Sequence, residues 1–227
     1  MCGRYSFVPT KKQLDEQLPE IEMPATLQLS YNIAPTHRAY IISNDEPNTL
    51  QQMTWGLVPH WSRDGANSGK LINARAEGLL EKPSFRAPAL HRHCLVPADS
   101  FYEWRTLPGK RKVPYRIRLH HNRLMFMAGI WEEWGKGDER KRTFSIITTS
   151  PNAEVAALHD RMPVLLTTPD QQKRWLETTD PEEIKMLLQP PDNGILEFYR
   201  VSEKLNSPGT EGAELHEPAH ENDLSLF

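Results

Sequence analysis

Cysteine is scarce in this sequence, since Cys2 and Cys94 are the only two among 227 residues. Two thiols are too few for the disulfide frameworks that stabilise many small secreted domains. Chains without such frameworks are typical of reducing compartments, so we expect a cytoplasmic protein whose thiols stay free. A chain of this length can also bury a sizeable core without covalent cross-links.

Long apolar runs are missing as well. Apolar residues make up 38% of the chain, and no stretch approaches the roughly 20 residues that a membrane-spanning helix needs. The first residues also lack the charged and then apolar layout of a signal peptide. We therefore expect no membrane partner.

Motifs for common cofactors are absent too. The chain has no glycine-rich phosphate loop, no GxSxG turn and no CxxC spacing. His91, His93 and Cys94 lie close together, but a strand would place only the two histidines on one face. The sequence therefore predicts neither a bound metal ion nor another cofactor.

Charge of both signs is present, but it is unevenly distributed. The net charge is −3, whereas residues 60–125 hold 13 lysines and arginines against 5 aspartates and glutamates. Such a segment can form an anion-binding face for nucleic acid. It can also pair with acidic segments of the same chain, and charge alone favours this second interpretation.

Short segments rich in β-branched and aromatic residues predict strands over most of the chain. They are residues 39–43, 52–58, 93–98, 101–106, 114–119, 124–131, 143–149, 164–167 and 197–202. Helices are fewer and do not alternate with the strands, which argues against a Rossmann fold. The pattern predicts an α+β fold, a compact single domain with a twisted, mainly antiparallel, barrel-like sheet and short flanking helices.

Four helix starts are indicated by their capping residues. Three of them lie at Thr10, Thr168 and Asp180. The fourth is Ser150 followed by Pro151, a proline at the first helical position. This helix would place His159 in its last turn, where the helix C-terminus favours a protonated imidazole.

The chain begins Met1-Cys2-Gly3, with a cysteine directly after the initiator methionine. Loss of Met1 would leave Cys2 with a free amine beside its thiol, and roughly a fifth of an ordinary α-amine is neutral near pH 7.2. A neutral amine attacks an aldehyde to give a Schiff base, and the tethered thiol can close on it as a thiazolidine ring. The commoner role for such a cysteine is a small buried residue behind a retained Met1.

Aldehyde chemistry also needs groups that hold the carbonyl oxygen and move protons. Asn73 could serve, or it could cap a short helix. Glu103 lies between aromatic residues on a predicted strand, so desolvation would raise its pKa, unless it is a surface carboxylate paired with Arg105. His159 could donate a proton, or it could only cap the helix before it.

These residues belong to a longer series of motifs: MCGRY (1–5), YNIAPT (31–36), WGLVPHW (55–61), INARAE (72–77), SFR (84–86), CLVPADSFYEW (94–104), AGIWE (128–132), LHDRMPVLL (158–166), VSEKLN (201–206) and GAELHEP (212–218). This series, in this order, resembles the SRAP family, the SOS-response-associated peptidases or abasic-site processing proteins. The resemblance implies one domain over residues 2–218, followed by a polar tail over residues 219–227. Two departures are visible, Ser100 for the usual glycine and Leu205 for a common valine.

The resemblance implies a protein that binds single-stranded DNA carrying an abasic site, especially near a junction with duplex DNA. Cys2, freed of Met1, would form a thiazolidine crosslink with the aldehyde of the ring-opened deoxyribose and so shield the lesion. Asn73 would orient Cys2 and the aldehyde, Glu103 would move protons, and His159 would hydrogen-bond the opened sugar. This is lyase-type Schiff-base chemistry, and the peptidase (hydrolase) label fits only the removal of Met1, by the protein itself or by an aminopeptidase.

The same motifs imply the residues that would contact DNA. Gly3 would let the backbone approach DNA closely, and Pro35 and Trp61 would be surfaces for splayed bases or sugars. Phosphate contacts would come from Arg4, Arg75, Arg86, Thr148 and Arg161, because arginine grips phosphate bidentately and aromatic rings stack on any base. With this resemblance the basic segment is expected to be a DNA-binding face, in a monomer that associates with the nucleoid when bound to damaged DNA.

Two other functions remain open for these residues. An N-terminal-nucleophile hydrolase or peptidase would use Cys2 for acyl transfer, would turn over an amide and would not need DNA. A non-covalent module for single-stranded DNA would bind abasic DNA equally well without the Cys2 thiol.

Overall fold

The structure is a computed structural model that describes residues 2–65 and 69–219. The strands in these ranges are β1 Tyr5–Phe7, β2 Ser30–Ile33, β3 Arg38–Ser43, β4 Glu46–Trp55, β5 Asn73–Arg75, β6 His93–Ala98, β7 Ser100–Thr106, β8 Lys112–Leu119, β9 Met125–Trp134, β10 Lys141–Thr149, β11 Met162–Pro163 and β12 Leu196–Arg200. The α-helices are α1 Lys11–Gln17, α2 Pro83–His91, α3 Ala153–Ala156, α4 Pro169–Glu177 and α5 Pro181–Leu187. Residues 220–227, most of the predicted tail, lie outside the described residues.

The strands form two sheets. One is open, in the order β12-β8-β7-β1-β2, and every neighbouring pair in it is antiparallel. The other runs β11-β10-β4-β3-β6-β9, and β9 also pairs with β10. Strands β10, β4, β3, β6 and β9 therefore close into a ring. Strands β4 and β5 run parallel to β10, and the other pairings of the described strands are antiparallel, which confirms the predicted α+β, mainly antiparallel, barrel-like domain.

Strand β1 lies where the two sheets share their core. Its Tyr5 packs edge-on against Trp55 of β4 with ring centroids 5.2 Å apart, and Phe7 packs on Tyr40 of β3 at 5.7 Å. Aromatic pairs of this kind bury large apolar areas and prefer tilted geometries. The N-terminal strand is thereby held between the ring and the open sheet, and Cys2, which lies shortly before it, is fully buried.

Three of the four predicted helix starts are confirmed. Thr10 and Thr168 each form a capping box, and the Asp180 carboxylate accepts the backbone N–H of Glu182. The side chains of Thr10 and Thr168 satisfy N–H groups that would otherwise have no partner at a helix N-terminus. None of the described helices is long and apolar enough to cross a membrane.

The predicted helix at Ser150 and Pro151 is wrong in both its start and its length. Asn152 is the N-cap, and its Oδ1 accepts the N–H of Val155 at 3.1 Å, so α3 is a single turn. The backbone N–H groups of Leu158 and His159 both donate to the carbonyl of Val155, in a turn that follows the end of α3 at Ala156. His159 therefore lies beyond α3, and the helix-terminus argument for its charge does not apply.

Two further elements differ from the sequence predictions. The strand predicted at 164–167 is wrong, because β11 covers only Met162–Pro163 and Leu165 makes a single bridge to Met127. Helix α2 was not predicted, because it contains Pro88, a residue that usually breaks a helix. It forms because Phe85, Pro88 and Ala89 are buried against the core.

Candidate active site

Cys2 is anchored by an amide from a distant strand. Asn73, the first residue of β5, donates from Nδ2 to the backbone carbonyl of Cys2 at 2.8 Å. The helix-cap alternative for Asn73 is wrong, since this residue is in a strand and the following turn of 3-10 helix begins only at Ala76. The Oδ1 atom of Asn73 is buried and accepts no hydrogen bond from a described residue. One polar atom beside Cys2 thus remains available to a ligand.

Glu103 is a buried carboxylate on the strand next to β1. Strands β1 and β7 pair with Tyr5 opposite Phe101, which places Glu103 on the side of the N-terminus, and its residue exposure is only 2%. Burial raises the pKa of Glu103, while the nearby imidazole of His159 lowers it. The predicted desolvation of this carboxylate is confirmed, and the alternative of a surface pair with Arg105 is wrong. A carboxyl group with a raised pKa is suited to proton transfer near neutral pH.

The Cys2 thiol is held in its protonated form. Burial raises its pKa far above the ordinary value, the carboxylate of Glu103 raises it further, and the backbone N–H of Arg4 lowers it. A thiolate is the reactive form of cysteine in most nucleophilic enzymes. A base would therefore have to remove the thiol proton when Cys2 reacts. Glu103 is the carboxylate whose charge raises the pKa of this thiol.

His159 faces Glu103 across 3.9 Å, measured from Nε2 to a carboxylate oxygen. The backbone N–H of Arg161 donates to Nδ1 at 3.0 Å, which requires an unprotonated Nδ1. The Asp160 carboxylate lies 2.8 Å from the same nitrogen and would favour a protonated Nδ1. Its side chain, however, is 87% exposed and can turn into solvent. We therefore assign the ring proton to Nε2, where it points towards Glu103.

An open groove gives access to these two groups. Its volume is about 590 Å³, and its walls are Glu103, Trp104, Lys112, His159 and Asn206. Two of these residues are bonded to each other, since Trp104 Nε1 donates to Asn206 Oδ1 at 2.7 Å. Sequence reasoning missed Trp104, Lys112 and Asn206, although the basic run at residues 110–112 was a signal for the lysine.

The residues predicted to contact DNA divide into two groups. Trp61 is 54% exposed, Arg75 and Arg86 are exposed, and Gly3 and Pro35 are half-buried. These side chains and backbone groups are on the surface, so the predicted contacts with bases, sugars and phosphates are sterically open to them.

Arg4 and Arg161 are instead engaged inside the protein. Arg4 is 9% exposed, and its guanidinium donates to Asn32 Oδ1 at 2.6 Å and to the carbonyl of Leu205 at 2.8 Å. Arg161 is equally buried and forms a bidentate pair with Glu77. Either arginine would have to exchange these partners to reach a phosphate.

Arg161 and Thr148 join the elements that carry two site residues. Arg161 donates to the carbonyl of Thr148 at 2.6 Å, and the Thr148 side chain is fully buried. The pair with Glu77 lies just after β5, which starts at Asn73, and Arg161 lies two residues after His159. These contacts therefore hold the Asn73 strand and the His159 loop in one arrangement.

The loop that carries Trp61 is also held firmly. The buried carboxylate of Glu132 contacts His60 Nδ1 at 3.1 Å and Arg92 Nη1 at 3.0 Å. On the other side of Trp61, the carbonyl of Ser62 accepts the indole N–H of Trp134 at 2.6 Å. An aromatic side chain exposed on a fixed loop loses little entropy when a flat ligand stacks on it.

The histidine at position 93 has structural partners. His93 is fully buried, and its two ring nitrogens contact the backbone carbonyls of Trp175 at 2.6 Å and Ala89 at 2.7 Å. Within residues 2–65 and 69–219, no three histidine, cysteine, aspartate or glutamate side chains lie close enough together to hold a metal ion.

Fold and site together define a single-domain α+β protein with a buried cysteine at residue 2. The Asn73 amide bonds the backbone of Cys2, the Glu103 carboxylate raises the pKa of its thiol, and the His159 imidazole faces Glu103. A family model described as SOS response associated peptidase (SRAP) matches residues 1–208. The chain therefore belongs to the SRAP family.

Named relatives and solved structures agree with this assignment. The chain is 43% identical to the abasic site processing protein YoqW of Bacillus subtilis, over 96% of this chain and 99% of that protein. It is 30% identical to the abasic site processing protein HMCES of Gallus gallus, over 86% of this chain and 68% of that protein. A crystal structure of a Bacteroides thetaiotaomicron protein, 29% identical, superimposes with a TM-score of 0.85 over 96% of this chain and all of that one.

Proposed function

We propose that this protein processes abasic sites in single-stranded DNA by forming a covalent thiazolidine crosslink through Cys2. Membership of the SRAP family and the names of the relatives support abasic-site processing. The observation that carries the chemical part is the arrangement around Cys2. Its carbonyl accepts a hydrogen bond from Asn73, and the buried Glu103, which raises the pKa of the Cys2 thiol, faces His159 across 3.9 Å. A two-nucleophile residue beside a buried proton acceptor suits an aldehyde substrate.

In the first step the amine of Cys2, after loss of Met1, attacks C1′ of the ring-opened deoxyribose. Nitrogen forms a bond to carbon, and the resulting carbinolamine loses its hydroxyl group as water to give an imine. Glu103 moves protons during ring opening and dehydration, and the Nε2–H of His159 donates to the sugar oxygen. Asn73 keeps the Cys2 backbone in place, and its buried Oδ1 is free to accept from the amine or the opened sugar.

In the second step the Cys2 sulfur adds to the imine carbon, and the thiol proton moves to the imine nitrogen through Glu103. The balance is one aldehyde and one aminothiol giving one thiazolidine and one water, without an oxidant or reductant. The amine reacts first and sulfur second, because the imine carbon to which sulfur adds exists only after the amine has reacted; burial also raises the pKa of the Cys2 thiol, which disfavours a free thiolate. The same raised pKa argues against a free thiolate working as an acyl-transfer nucleophile on amides.

The exposed residues Trp61, Arg75 and Arg86 would carry the DNA strand towards the groove. Phosphate contacts by arginine and stacking on an aromatic platform are both independent of sequence. The protein would thus act as a monomer on DNA in the cytoplasm, recognise a lesion rather than a base sequence, and tolerate a nearby junction with duplex DNA.

The test uses a single-stranded oligonucleotide with one abasic site and a denaturing gel. We expect a shifted band that survives thiol reductants, and intact mass should show Met1 removed and one water lost on crosslinking. The band should be absent for Cys2→Ala, for a blocked N-terminus and for undamaged DNA. The matched control is Cys94→Ala, which removes the other buried thiol and should crosslink normally.

Other outcomes would contradict the proposal. Equal binding of abasic DNA by Cys2→Ala, with no covalent band for the wild type, would establish a non-covalent binding module. Turnover of peptide amides that depends on Cys2 and ignores DNA would establish a peptidase.

A further inference from the structure

The hairpin that joins β7 to β8, residues 105–112, carries an unusual charge composition. Its sequence RTLPGKRK holds four cations and no acidic residue, and its tip is exposed. We name it the basic hairpin. We propose that the basic hairpin binds the phosphates of the DNA strand that flanks the lesion. This inference rests on the proposed function and adds a binding surface to it.

Three of the four cations have no acidic partner among the described residues. Arg111 donates to a carboxylate oxygen of Glu203 at 2.6 Å. The side chains of Arg105, Lys110 and Lys112 make no ion pair with any residue in the part of the chain that the structure describes, and all three are exposed. Unneutralised cations on one short hairpin form a local positive potential that attracts polyanions. Internal neutralisation of the basic segment, the alternative that charge alone favoured, therefore fails for this part of it.

The basic hairpin starts at the reaction groove. Arg105 follows Glu103 by two residues on β7, which is about 7 Å along an extended strand. Lys112, opposite Thr106 in the β7–β8 register, is itself a wall of the groove that contains Glu103 and His159. A strand whose abasic sugar enters this groove has its neighbouring phosphates within reach of these cations.

The tip of the hairpin has a defined shape. The N–H of Leu107 donates to the carbonyl of Arg111 at 2.8 Å, and the N–H of Lys110 donates to the carbonyl of Leu107 at 3.1 Å. Gly109 and Lys110 both have positive φ angles, 79° and 66°. A lysine in the left-handed region costs conformational energy, and such residues concentrate at functional loops. The two backbone hydrogen bonds thus fix the turn from which the Lys110 and Arg111 side chains extend.

The occupant is a nucleic acid strand rather than a compact anion. Arg105 and Lys112 leave opposite faces of the β7–β8 ladder, since Arg105 shares the face of Glu103 and Lys112 shares the face of Trp104. Cations spread over both faces and the tip suit a row of phosphates better than a single phosphate, which would need them to converge.

The experiment measures binding of a fluorescent single-stranded oligonucleotide that carries a tetrahydrofuran abasic analogue. This probe has no aldehyde, so it cannot crosslink, and failure of the covalent chemistry would not affect the result. The test variant combines Arg105→Gln, Lys110→Gln and Lys112→Gln. We expect about tenfold weaker binding at 0.1 M salt and a log–log salt slope reduced by about 2, since each lost contact with a single strand contributes about 0.7.

Two matched variants separate the hairpin from general charge and from folding. The first control removes three cations that do not line the groove, by Lys11→Gln, Lys12→Gln and Lys173→Gln, and should keep the wild-type salt slope. The second control keeps all three charges of the basic hairpin, by Arg105→Lys, Lys110→Arg and Lys112→Arg, and should also keep the wild-type salt slope. The proposal would be overturned by a wild-type slope in the test variant, or by an equal loss of slope in the first control.

Discussion

The side-chain amide of Asn73 holds the backbone carbonyl of Cys2 at 2.8 Å, although 71 residues separate the two in sequence. The pairing of β5 with β10 supplies the rigidity of this contact, since Asn73 lies opposite Ile146 of the closed ring. Cys2 is thus positioned by the barrel as well as by the short strand β1 that follows it. A reacting amine on a free chain end would otherwise sample many orientations.

Replacing Asn73 should therefore slow the chemistry more than it weakens the fold. For Asn73→Ala we expect the single-turnover crosslinking rate at saturating abasic DNA to fall about tenfold or more, as expected for one lost hydrogen bond of about 1.4 kcal/mol. The matched control is Asn44→Ala, which removes contacts to His91 and Trp131 far along the chain. Equal slowing in both variants would show that Asn73 has no special role at Cys2.

Glu103 should lower the stability of the folded protein at neutral pH. At low pH its carboxyl is neutral in both the folded and the unfolded protein. Because burial raises its pKa in the folded protein, the free energy of unfolding falls as pH rises through that raised pKa. Glu103→Gln cannot ionise, so its Tm should exceed that of the wild type at pH 7 to 8, and the difference should shrink towards pH 4. The same variant should crosslink more slowly at pH 7 while still binding DNA.

Thermal unfolding followed by circular dichroism over this pH range measures the first effect, and gel kinetics measure the second. The carboxylate control is Glu133→Gln, because Glu133 is a half-buried strand residue that pairs with Arg140 at the surface. A Tm difference for Glu103→Gln that does not change with pH would contradict the buried-carboxylate argument.

Most of the elements could be predicted from local sequence, because β-branched runs and capping boxes act within a few residues. The single turn α3 and the proline-containing α2 could not, since Asn152 competes with Ser150 for the cap and α2 depends on buried Phe85. The parallel pairing of β5 with β10 joins residues 73 positions apart, such as Asn73 and Ile146, and no local pattern encodes it.

The site shows the same division. Residue types and motifs identified Cys2, Glu103 and His159 as neighbours in function, and the structure brings them together. Arg4 donates hydrogen bonds to Asn32 and Leu205, which lie 28 and 201 residues away in sequence. Local sequence could not predict this structural role, because Arg4 stands two residues after Cys2 and was interpreted as a DNA contact.

Ser100 should stabilise the start of the strand that carries Glu103. Its hydroxyl lies in a buried network, where it contacts Ser6 Oγ at 2.6 Å, donates to Asp99 at 3.1 Å and accepts Arg116 Nε at 2.8 Å. Ser100→Ala leaves those polar groups with fewer partners and should lower the free energy of unfolding by about 1–3 kcal/mol. Urea denaturation at pH 7 measures the loss.

A buried serine elsewhere gives the comparison. Ser145 is also fully buried, but its Oγ has no hydrogen-bond partner among the described residues. Ser145→Ala should therefore be neutral or slightly stabilising, because it removes a polar group that is already unsatisfied. The network argument for Ser100 fails if the two serine variants change stability by the same amount.

His216 should make the fold sensitive to mild acid. Burial lowers its pKa to about 4, against the opposing effect of Asp99 and with the help of Arg116 and Arg118. The imidazole is therefore neutral at pH 7, so its 3.6 Å contact with Asp99 is not an ion pair there, and its ring packs edge-on against Tyr31. Unfolded chains bind a proton near pH 6.5 and the native state does not, so stability is complete above pH 6.5 and is lost as pH falls towards 4.

The loss from this one group should reach about 3 kcal/mol at pH 4, because a tenfold difference in proton affinity between the folded and unfolded chains is worth about 1.4 kcal/mol. His216→Phe keeps a ring against Tyr31 but cannot titrate, so its free energy of unfolding should vary less between pH 6.5 and 4 than that of the wild type. His120→Phe removes an exposed histidine and should leave the wild-type pH dependence unchanged. If His216→Phe loses as much stability in acid as the wild type, His216 is not the group that makes the fold sensitive to acid.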